Sequence, residues 1–131
     1  MESQTLIAVN NVEVSSKWYQ HLLSLKSGHG GNEYERLLSD NKLVLQLHAW
    51  EVENHQHPFM GSRSIKPNGN GVVLWFQVDD FDASMNRAYE LKAEILEEPH
   101  LNTNAQHMEC WLRDLDGYVV VIASKPINIG N

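Results

Sequence analysis

The sequence predicts an α+β protein built from two tandem βαβββ modules. Three observations predict this class: the order strand, helix and three antiparallel strands occurs twice, the residues that begin the two helices can be overlaid, and a polar segment separates the two halves. Module one is assigned to residues 4–50, a linker to 51–71 and module two to 72–124, all within a single domain 1–131.

Module one begins with an apolar strand over 4–9. Asn10 and Asn11 follow it and offer side-chain oxygens that can cap a helix. The predicted helix ends near Gly28, and its apolar stripe consists of Val14, Trp18, Leu22 and Leu25.

A β-hairpin completes module one. Strands are predicted over 34–38 and 43–50, with a tight turn at Asp40-Asn41 between them. The next residues, 51–71, are rich in Asn, His, Pro, Gly and Ser without periodicity, as is typical of a connecting segment.

Module two repeats this order. A strand over 72–78 leads to the cap residues Asp79-Asp80 and to a helix whose apolar positions are Phe81, Met85 and Ala88. The remaining strands are predicted at 93–96, ended by Pro99, at 107–113, and at 118–123 after the turn Asp116-Gly117.

The two halves can be overlaid directly. Residues 9–15 (VNNVEVS) match 78–84 (VDDFDAS) at an offset of 69, and 43–46 match 118–121 at an offset of 75. The six additional residues are placed in a loop over 100–106. An ordered recurrence of both the helix start and the hairpin indicates an internal repeat.

Composition narrows the classes of function. No apolar run reaches the roughly 20 residues that span a bilayer, and the N-terminal residues lack an export signal, so neither a membrane protein nor an exported one is expected. The only cysteine, Cys110, has no partner for an internal disulfide, which indicates the cytoplasm. A net charge of -7 disfavours binding to nucleic acid, which is a polyanion. The expected partner is a small organic molecule, and the charge favours a cationic one.

The segments 9–19, 78–84 and 109–118 (ECWLRDLDGY) together resemble the vicinal oxygen chelate superfamily, which includes glyoxalase I, bleomycin resistance proteins, fosfomycin resistance proteins and extradiol dioxygenases. The resemblance covers residues 4–124, with Leu115 where the family usually has Pro. It implies that the modules form an open, U-shaped mixed β-barrel around a cavity with the helices outside. It also implies a homodimer.

The resemblance further implies four positions at which family members hold a divalent ion. In this chain those positions carry Gln4, Gln46, Val73 and Val121. Divalent transition ions require carboxylates, imidazoles or thiolates as principal ligands, which two amides and two valines do not supply. We therefore expect no metal-ligating residue and no cofactor.

Two other groups could bind a metal or a proton. The histidines His48, His55 and His57 have loose spacing and are interpreted as loop residues. Glu109 is expected to make a structural hydrogen bond or an ion pair, with Arg113 as a candidate partner. Cys110 is expected to be a buried structural thiol, and no catalytic residue is assigned.

Strand alternation extends the four positions to a concave surface. The predicted ligand-binding residues are Gln4, Gln46, His48, Trp50, Val73, Trp75, Gln77 and Val121, and the same surface would include Leu6, Ala8, Val44, Val119 and Ala123. Such a lining suits an organic ligand held by stacking and shape. The alternative is that these side chains fill a small core and leave no cavity.

Three functions are compatible with these features. The first is a metal-free superfamily member that binds a small cationic or aromatic molecule, in a resistance or sequestration role like that of the bleomycin resistance proteins. The second is a glyoxalase- or dioxygenase-type lyase, isomerase or oxygenase with an atypical metal site, or with His48 as general base. The third is an interaction module. Whether the protein is an enzyme stays open, with the non-enzymatic function favoured.

Overall fold

A computed structural model describes residues 1–52, 57 and 59–127. The chain divides into two compact units, Met1–Lys66 and Pro67–Asn131, and the division falls inside the segment 51–71 that the sequence marks as a linker. Each unit contains one helix and one four-stranded mixed sheet. The predicted α+β class with two tandem modules is therefore confirmed.

The first unit has the strand order β1-β4-β3-β2, in which β1 runs parallel to β4 and the other neighbours are antiparallel. Its elements are β1 (Leu6–Val9), α1 (Val12–Leu23), β2 (Lys26–Ser27), β3 (Tyr34–Ser39) and β4 (Lys42–Ala49). Asp40 and Asn41 both have positive φ, at 49° and 64°, as a two-residue type I′ hairpin turn requires. The predicted hairpin is confirmed.

Helix α1 begins at its cap and ends earlier than predicted. Asn11 is extended, and its Oδ1 accepts a hydrogen bond from the backbone N of Val14 at 3.0 Å. The predicted end near Gly28 is wrong, because Ser24 adopts a left-handed conformation with φ 53° and stops the helix at Leu23. The short strand β2 follows, within the range predicted for the helix.

The buried face of α1 also differs from the predicted stripe. Val14 is 51% exposed, so the interpretation of Val14 as a core residue is wrong. The residues of α1 that are buried are Val12, Ser15, Ser16, Trp18, Tyr19 and Leu22. Trp18, Leu22 and Leu25 are buried as predicted. Two of the other buried residues are serines, so a stripe defined by apolar residues alone missed part of the face.

The second unit has the equivalent strand order β5-β8-β7-β6, with β5 parallel to β8. Its elements are β5 (Val73–Gln77), α2 (Phe81–Glu90), β6 (Glu94–Asn102), β7 (His107–Arg113) and β8 (Val119–Ala123). Asp80 caps α2 by accepting a hydrogen bond on Oδ1 from the backbone N of Ala83 at 3.0 Å. The three apolar positions predicted for α2 are buried as expected.

Strand β6 corrects a prediction. The sequence predicts a short strand over 93–96, ended by Pro99, and a loop over 100–106, but β6 continues through Pro99 to Asn102. β6 lies at the edge of the sheet, where a residue without an N–H group can be accommodated. The pairing register with β7 shifts between Glu97 and His100, around the proline.

The internal repeat is visible in the strand registers. Leu6 pairs with Gln46 in the first unit, and Trp75 pairs with Val121 in the second. These pairs are related by the offsets of 69 and 75 found in the sequence. Residues of the two units that these offsets relate are called equivalent below.

Each sheet has one face packed against the helix of its own unit. The buried residues on this face are Ile7, Val9, Leu37, Leu45 and Leu47 in the first unit, and Leu74, Cys110, Leu112, Val120 and Ile122 in the second. The opposite face is called the open face of that sheet. Among the described residues, no helix has the length and apolar composition needed to cross a membrane.

Candidate functional site

The open faces carry the residues at the four family ligand positions. Gln46 Oε1 accepts a hydrogen bond from the Tyr34 hydroxyl at 2.5 Å, and Gln46 Nε2 donates to the backbone oxygen of Gln4 at 3.2 Å. The side chain of Gln4 is exposed. Val73 is partly exposed, whereas Val121 has 0% exposure.

These residues do not fit a divalent ion. The valines offer no lone pair, and the amide of Gln46 already bonds to Tyr34 and to the backbone at Gln4. Among the residues that the structure describes, no three His, Cys, Asp or Glu side chains form a group that could hold a metal ion.

The first open face presents a histidine of defined orientation. His48 lies opposite Tyr34 in the β3–β4 register, with 8% exposure and its ring centroid 6.2 Å from that of Tyr34. Its Nδ1 lies 2.7 Å from the backbone oxygen of Ala49. Because a carbonyl only accepts, Nδ1 carries the proton and Nε2 of the neutral ring is an acceptor.

The loop histidines lie partly within the described structure. The rings of His48 and His57 are perpendicular, with centroids 4.7 Å apart. His55 lies outside the described residues. Trp50 follows β4, and among the described residues its buried Nε1 has no hydrogen-bond partner.

The second open face presents an aromatic cluster. Trp75 is 47% exposed, although it lies on β5 next to the fully buried Val121. The Trp111 ring is perpendicular to the Trp75 ring at 6.1 Å between centroids, and the His107 ring lies 5.7 Å from it. Gln77 is exposed on the same face. We call Trp75, His107, Glu109 and Trp111 the aromatic cluster.

Glu109 holds this cluster together. Its Oε2 accepts a hydrogen bond from Trp111 Nε1 at 2.5 Å, and its Oε1 accepts from Asn102 Nδ2 and pairs with His107 Nε2, each at 2.8 Å. The predicted structural hydrogen bond of Glu109 is confirmed, whereas the guanidinium of Arg113 donates to the backbone oxygen of Gly117.

The environment of Glu109 determines its ionisation. Burial raises the pKa of this carboxyl group, but the hydrogen bonds from Trp111, Asn102 and His107 outweigh burial and lower the pKa to about 2. Glu109 is therefore an anion at neutral pH, although only 4% of the residue is exposed.

Further acidic groups lie next to this cluster. His100 Nδ1 lies 2.8 Å from the backbone oxygen of Glu98, and His100 Nε2 lies 3.3 Å from Glu97 Oε1 and 3.8 Å from Glu109 Oε2.

Cys110 lies on the helix side of β7. It is fully buried as predicted, and burial raises the pKa of its thiol to about 11.

Sequence reasoning missed most of the aromatic cluster. It assigned Trp75 to the lining but considered only the first and last strands of each module, and so omitted β7. The signal was available in the alternation His107-x-Glu109-x-Trp111, which places three polar or aromatic side chains on the same face as Val121.

The protein belongs to the class of α+β proteins that contain two tandem βαβββ modules. The sheet of each module has one open face. The sequence model of the Glyoxalase/Bleomycin resistance protein/Dioxygenase superfamily matches residues 3–122, and the chain belongs to this superfamily. Comparison with curated proteins gives no significant match.

Several solved structures share the fold. The fosfomycin resistance protein FosX from Listeria monocytogenes has a TM-score of 0.69 at 10% identity, covering 97% of this chain and 94% of that one. The lactoylglutathione lyase from Agrobacterium tumefaciens has a TM-score of 0.65 at 16% identity, covering 95% of this chain and 92% of that one. TioX from Micromonospora sp. ML1 has a TM-score of 0.66 at 14% identity, covering 99% of this chain and 100% of that one. At these identities the similarity concerns the fold alone.

Proposed function

We propose that the protein binds a small aromatic molecule, uncharged or cationic, on the open face of its second sheet, and that binding requires no metal ion. A protein that binds such a molecule and catalyses no reaction would have a resistance or sequestration role. The observation that carries the proposal is Trp75, a large aromatic side chain that is 47% exposed beside Trp111.

An exposed indole on a sheet face is a suitable platform for a ring. Trp111 lies edge-on to Trp75, and its indole N–H donates to Glu109, which fixes the orientation of Trp111 beside Trp75. Aromatic rings gain from edge-to-face and stacked contacts beyond the area they bury. A planar ligand that covers Trp75 would gain both contributions.

The charge of this region selects against anions. Glu109 of the aromatic cluster is ionised, and His100 lies close to both Glu109 and Glu97. The whole chain carries a net charge of -7. A negatively charged ligand would be repelled, whereas a cationic ring would be attracted to the indole faces and to the carboxylates.

Binding without a metal is supported by donor chemistry. None of the four family positions, Gln4, Gln46, Val73 and Val121, carries a carboxylate, imidazole or thiolate. A ligand would instead be held by ring contacts and hydrogen bonds.

The other predicted ligand-binding residues remain part of the proposal. On the first open face they are Gln4, Gln46, His48 and Trp50, and on the second they are Val73, Gln77 and Val121. Val121 has no exposed surface and would form the base of the site beside Trp75. Each face can be tested by its own variants.

Matched aromatic probes test the proposal. The N-methylquinolinium cation and the anion quinaldate have the same ring system and opposite charge. We expect the cation to bind and to quench tryptophan fluorescence, the anion to bind at least about tenfold more weakly, and Trp75→Ala to lower the affinity for the cation about tenfold.

Leu115→Ala is the control, because Leu115 is an exposed apolar residue of the same unit in the turn before β8. It should leave the affinity unchanged. Equal affinities of the Trp75→Ala and wild-type proteins would contradict binding at the second open face.

An enzyme is the second candidate, and the orientation of His48 favours it. With Nδ1 bonded to the backbone oxygen of Ala49, Nε2 has no hydrogen-bond partner among the described residues and is a candidate proton acceptor at the first open face. One similar structure is described as a lactoylglutathione lyase. Turnover of the methylglyoxal–glutathione hemithioacetal that is lost in His48→Gln would establish this function and contradict the binding role.

We also propose a homodimer in the cytoplasm. The superfamily to which the chain belongs supports the dimer, which the resemblance to that family implies. Light scattering that gives a monomer at micromolar concentration would contradict the dimer.

A further inference from the structure

The aromatic cluster contains a histidine whose hydrogen-bonding roles are fixed. His107 Nε2 lies 2.8 Å from Oε1 of Glu109, a carboxylate that can only accept. In the neutral ring the proton must therefore be on Nε2. The other ring nitrogen, Nδ1, is then an acceptor with a free lone pair.

This lone pair has no partner among the residues that the structure describes. The described interactions of His107 are the bond from Nε2 to Glu109 and the ring contact with Trp75. The side chain is 13% exposed and lies on the same open face as Trp75. An acceptor therefore lies next to the exposed indole.

Glu109 acts on this acceptor without being reachable itself. Its side chain is 5% exposed, and its two oxygens already accept from Trp111, Asn102 and His107. It is thus a positioning residue, which orients the imidazole and fixes its tautomer.

We infer that His107, held in one tautomer by Glu109, accepts a hydrogen bond from an O–H or N–H group of a ring bound against Trp75. The site then selects uncharged or cationic rings that carry a hydrogen-bond donor. This inference rests on the proposed function, because it requires a ligand at Trp75. It adds a chemical requirement that stacking alone does not impose.

Phenol and anisole test the inference, since they differ in that the ether lacks the donor. At about pH 8, below the usual pKa of a phenol and above that of an imidazole, both probes are neutral and a neutral imidazole can accept. We expect wild-type protein to bind the phenol about fivefold more tightly than the ether, the difference expected for one hydrogen bond. His107→Phe should remove this difference while it keeps a ring beside Trp75.

Glu109→Ala provides a second variant with a different readout. An alanine at this position offers no acceptor to Nε2 of His107, so nothing would hold the imidazole proton on Nε2 and both tautomers would be populated. Nitrogen NMR of the His107 ring should show Nε2 protonated in the wild type and a mixture of both tautomers in the variant. The preference for the phenol should weaken together with this change.

His100→Asn is the matched control, because His100 is a histidine near Glu109 on the neighbouring strand and Trp75 is not among its described contacts. It should keep the fivefold preference. If the wild type binds both probes equally and Trp75→Ala abolishes binding, the inference is overturned and the proposed function stands. If neither these probes nor N-methylquinolinium bind, both fail. If His107 has its proton on Nδ1 in the wild type, the inference is also overturned.

Discussion

The two units have the same strand registers but opposite chemistry at equivalent positions. On the helix side, Glu35 of β3 is equivalent to Cys110 of β7, and Ser16 of α1 is equivalent to Met85 of α2. All four residues are buried. One unit thus places a polar pair where the other places an apolar pair.

The polar pair is accommodated because the first unit supplies a full set of donors. Glu35 Oε2 accepts from Ser16 Oγ at 2.8 Å and from Ser27 Oγ at 2.7 Å, and Oε1 accepts from the backbone N of Gly30 at 2.9 Å. The backbone N–H groups of His29 and Arg36 also donate to Oε1. The carboxylate therefore joins α1, β2 and the glycine-rich loop 28–31.

Among the described residues, the open face of the second unit, and not that of the first, carries a buried carboxylate. Tyr34 and His48 of the first unit are equivalent to Glu109 and Ala123 of the second. The second unit thus carries its buried carboxylate on the open face, where it orients Trp111 and His107. The comparison indicates that the carboxylate on the helix side serves the fold, whereas under the proposed function the one on the open face orients the side chains of a binding surface.

Glu35→Ala tests the structural role and should have the largest effect. It removes the acceptor of several buried donors, and we expect the free energy of unfolding to fall by about 3 kcal/mol. Urea denaturation followed by tryptophan fluorescence measures this. Glu33→Ala, an exposed residue of the same segment, should change stability by less than about 0.5 kcal/mol. Equal effects of the two variants would refute the role of Glu35.

The pH dependence of stability distinguishes the carboxylate on the open face. The pKa of Glu109 falls from 4.5 to about 2 in the folded protein, so its contribution is present above 4.5 and is lost as the pH falls toward 2. Between pH 4.5 and pH 2 the free energy of unfolding of Glu109→Gln should therefore fall by about 2 kcal/mol less than that of the wild type. Parallel pH curves for both proteins in chemical denaturation would contradict this.

The pKa of Glu35 is also lowered. Burial alone would raise it, but the hydrogen bonds from Gly30, Ser27, Ser16 and Arg36 have the larger combined effect. The Glu109→Gln variant should therefore still lose stability in acid, because Glu35 remains.

A double-mutant cycle measures the polar pair itself. Ser16→Ala should cost about 1 kcal/mol in the wild type and much less in the Glu35→Ala background, because the hydroxyl then has no carboxylate to donate to. A coupling energy near zero would show that Ser16 and Glu35 stabilise the protein independently.

The helix caps should show the smallest effect and no difference between the units. Asn11 and Asp80 each accept from a backbone N three residues later at 3.0 Å. Alanine at either position should cost about 1 kcal/mol, and serine should restore most of it. Thermal unfolding of the four variants checks this, and a cost confined to one helix would contradict the equivalence of the caps.

The sequence predicted the features that depend on local pattern. The repeat, both helix starts and the Asp40-Asn41 turn follow from spacing and from residues with special backbone preferences. It did not predict the helix end at Leu23, because Ser24 is not a residue typical of the left-handed conformation. The length of β6 was missed because an edge position, which tolerates Pro99, is a property of the sheet and not of the segment.

Only the part of the candidate site that depends on a single strand was predicted. Trp75 was found by alternation along one strand, but the cluster around Glu109 depends on which strands are neighbours. His107, Asn102 and Trp111 converge on one carboxylate only after β6 and β7 pair.

The central claim is that an aromatic ligand binds at Trp75 without a metal ion. The most direct measurement is a calorimetric titration of N-methylquinolinium into chelator-treated protein and into the same protein supplied with zinc, manganese or nickel. We expect the same dissociation constant in all samples, and an affinity about tenfold lower for Trp75→Ala. Binding that appears only after a metal is added, or that is unchanged in Trp75→Ala, would contradict the claim.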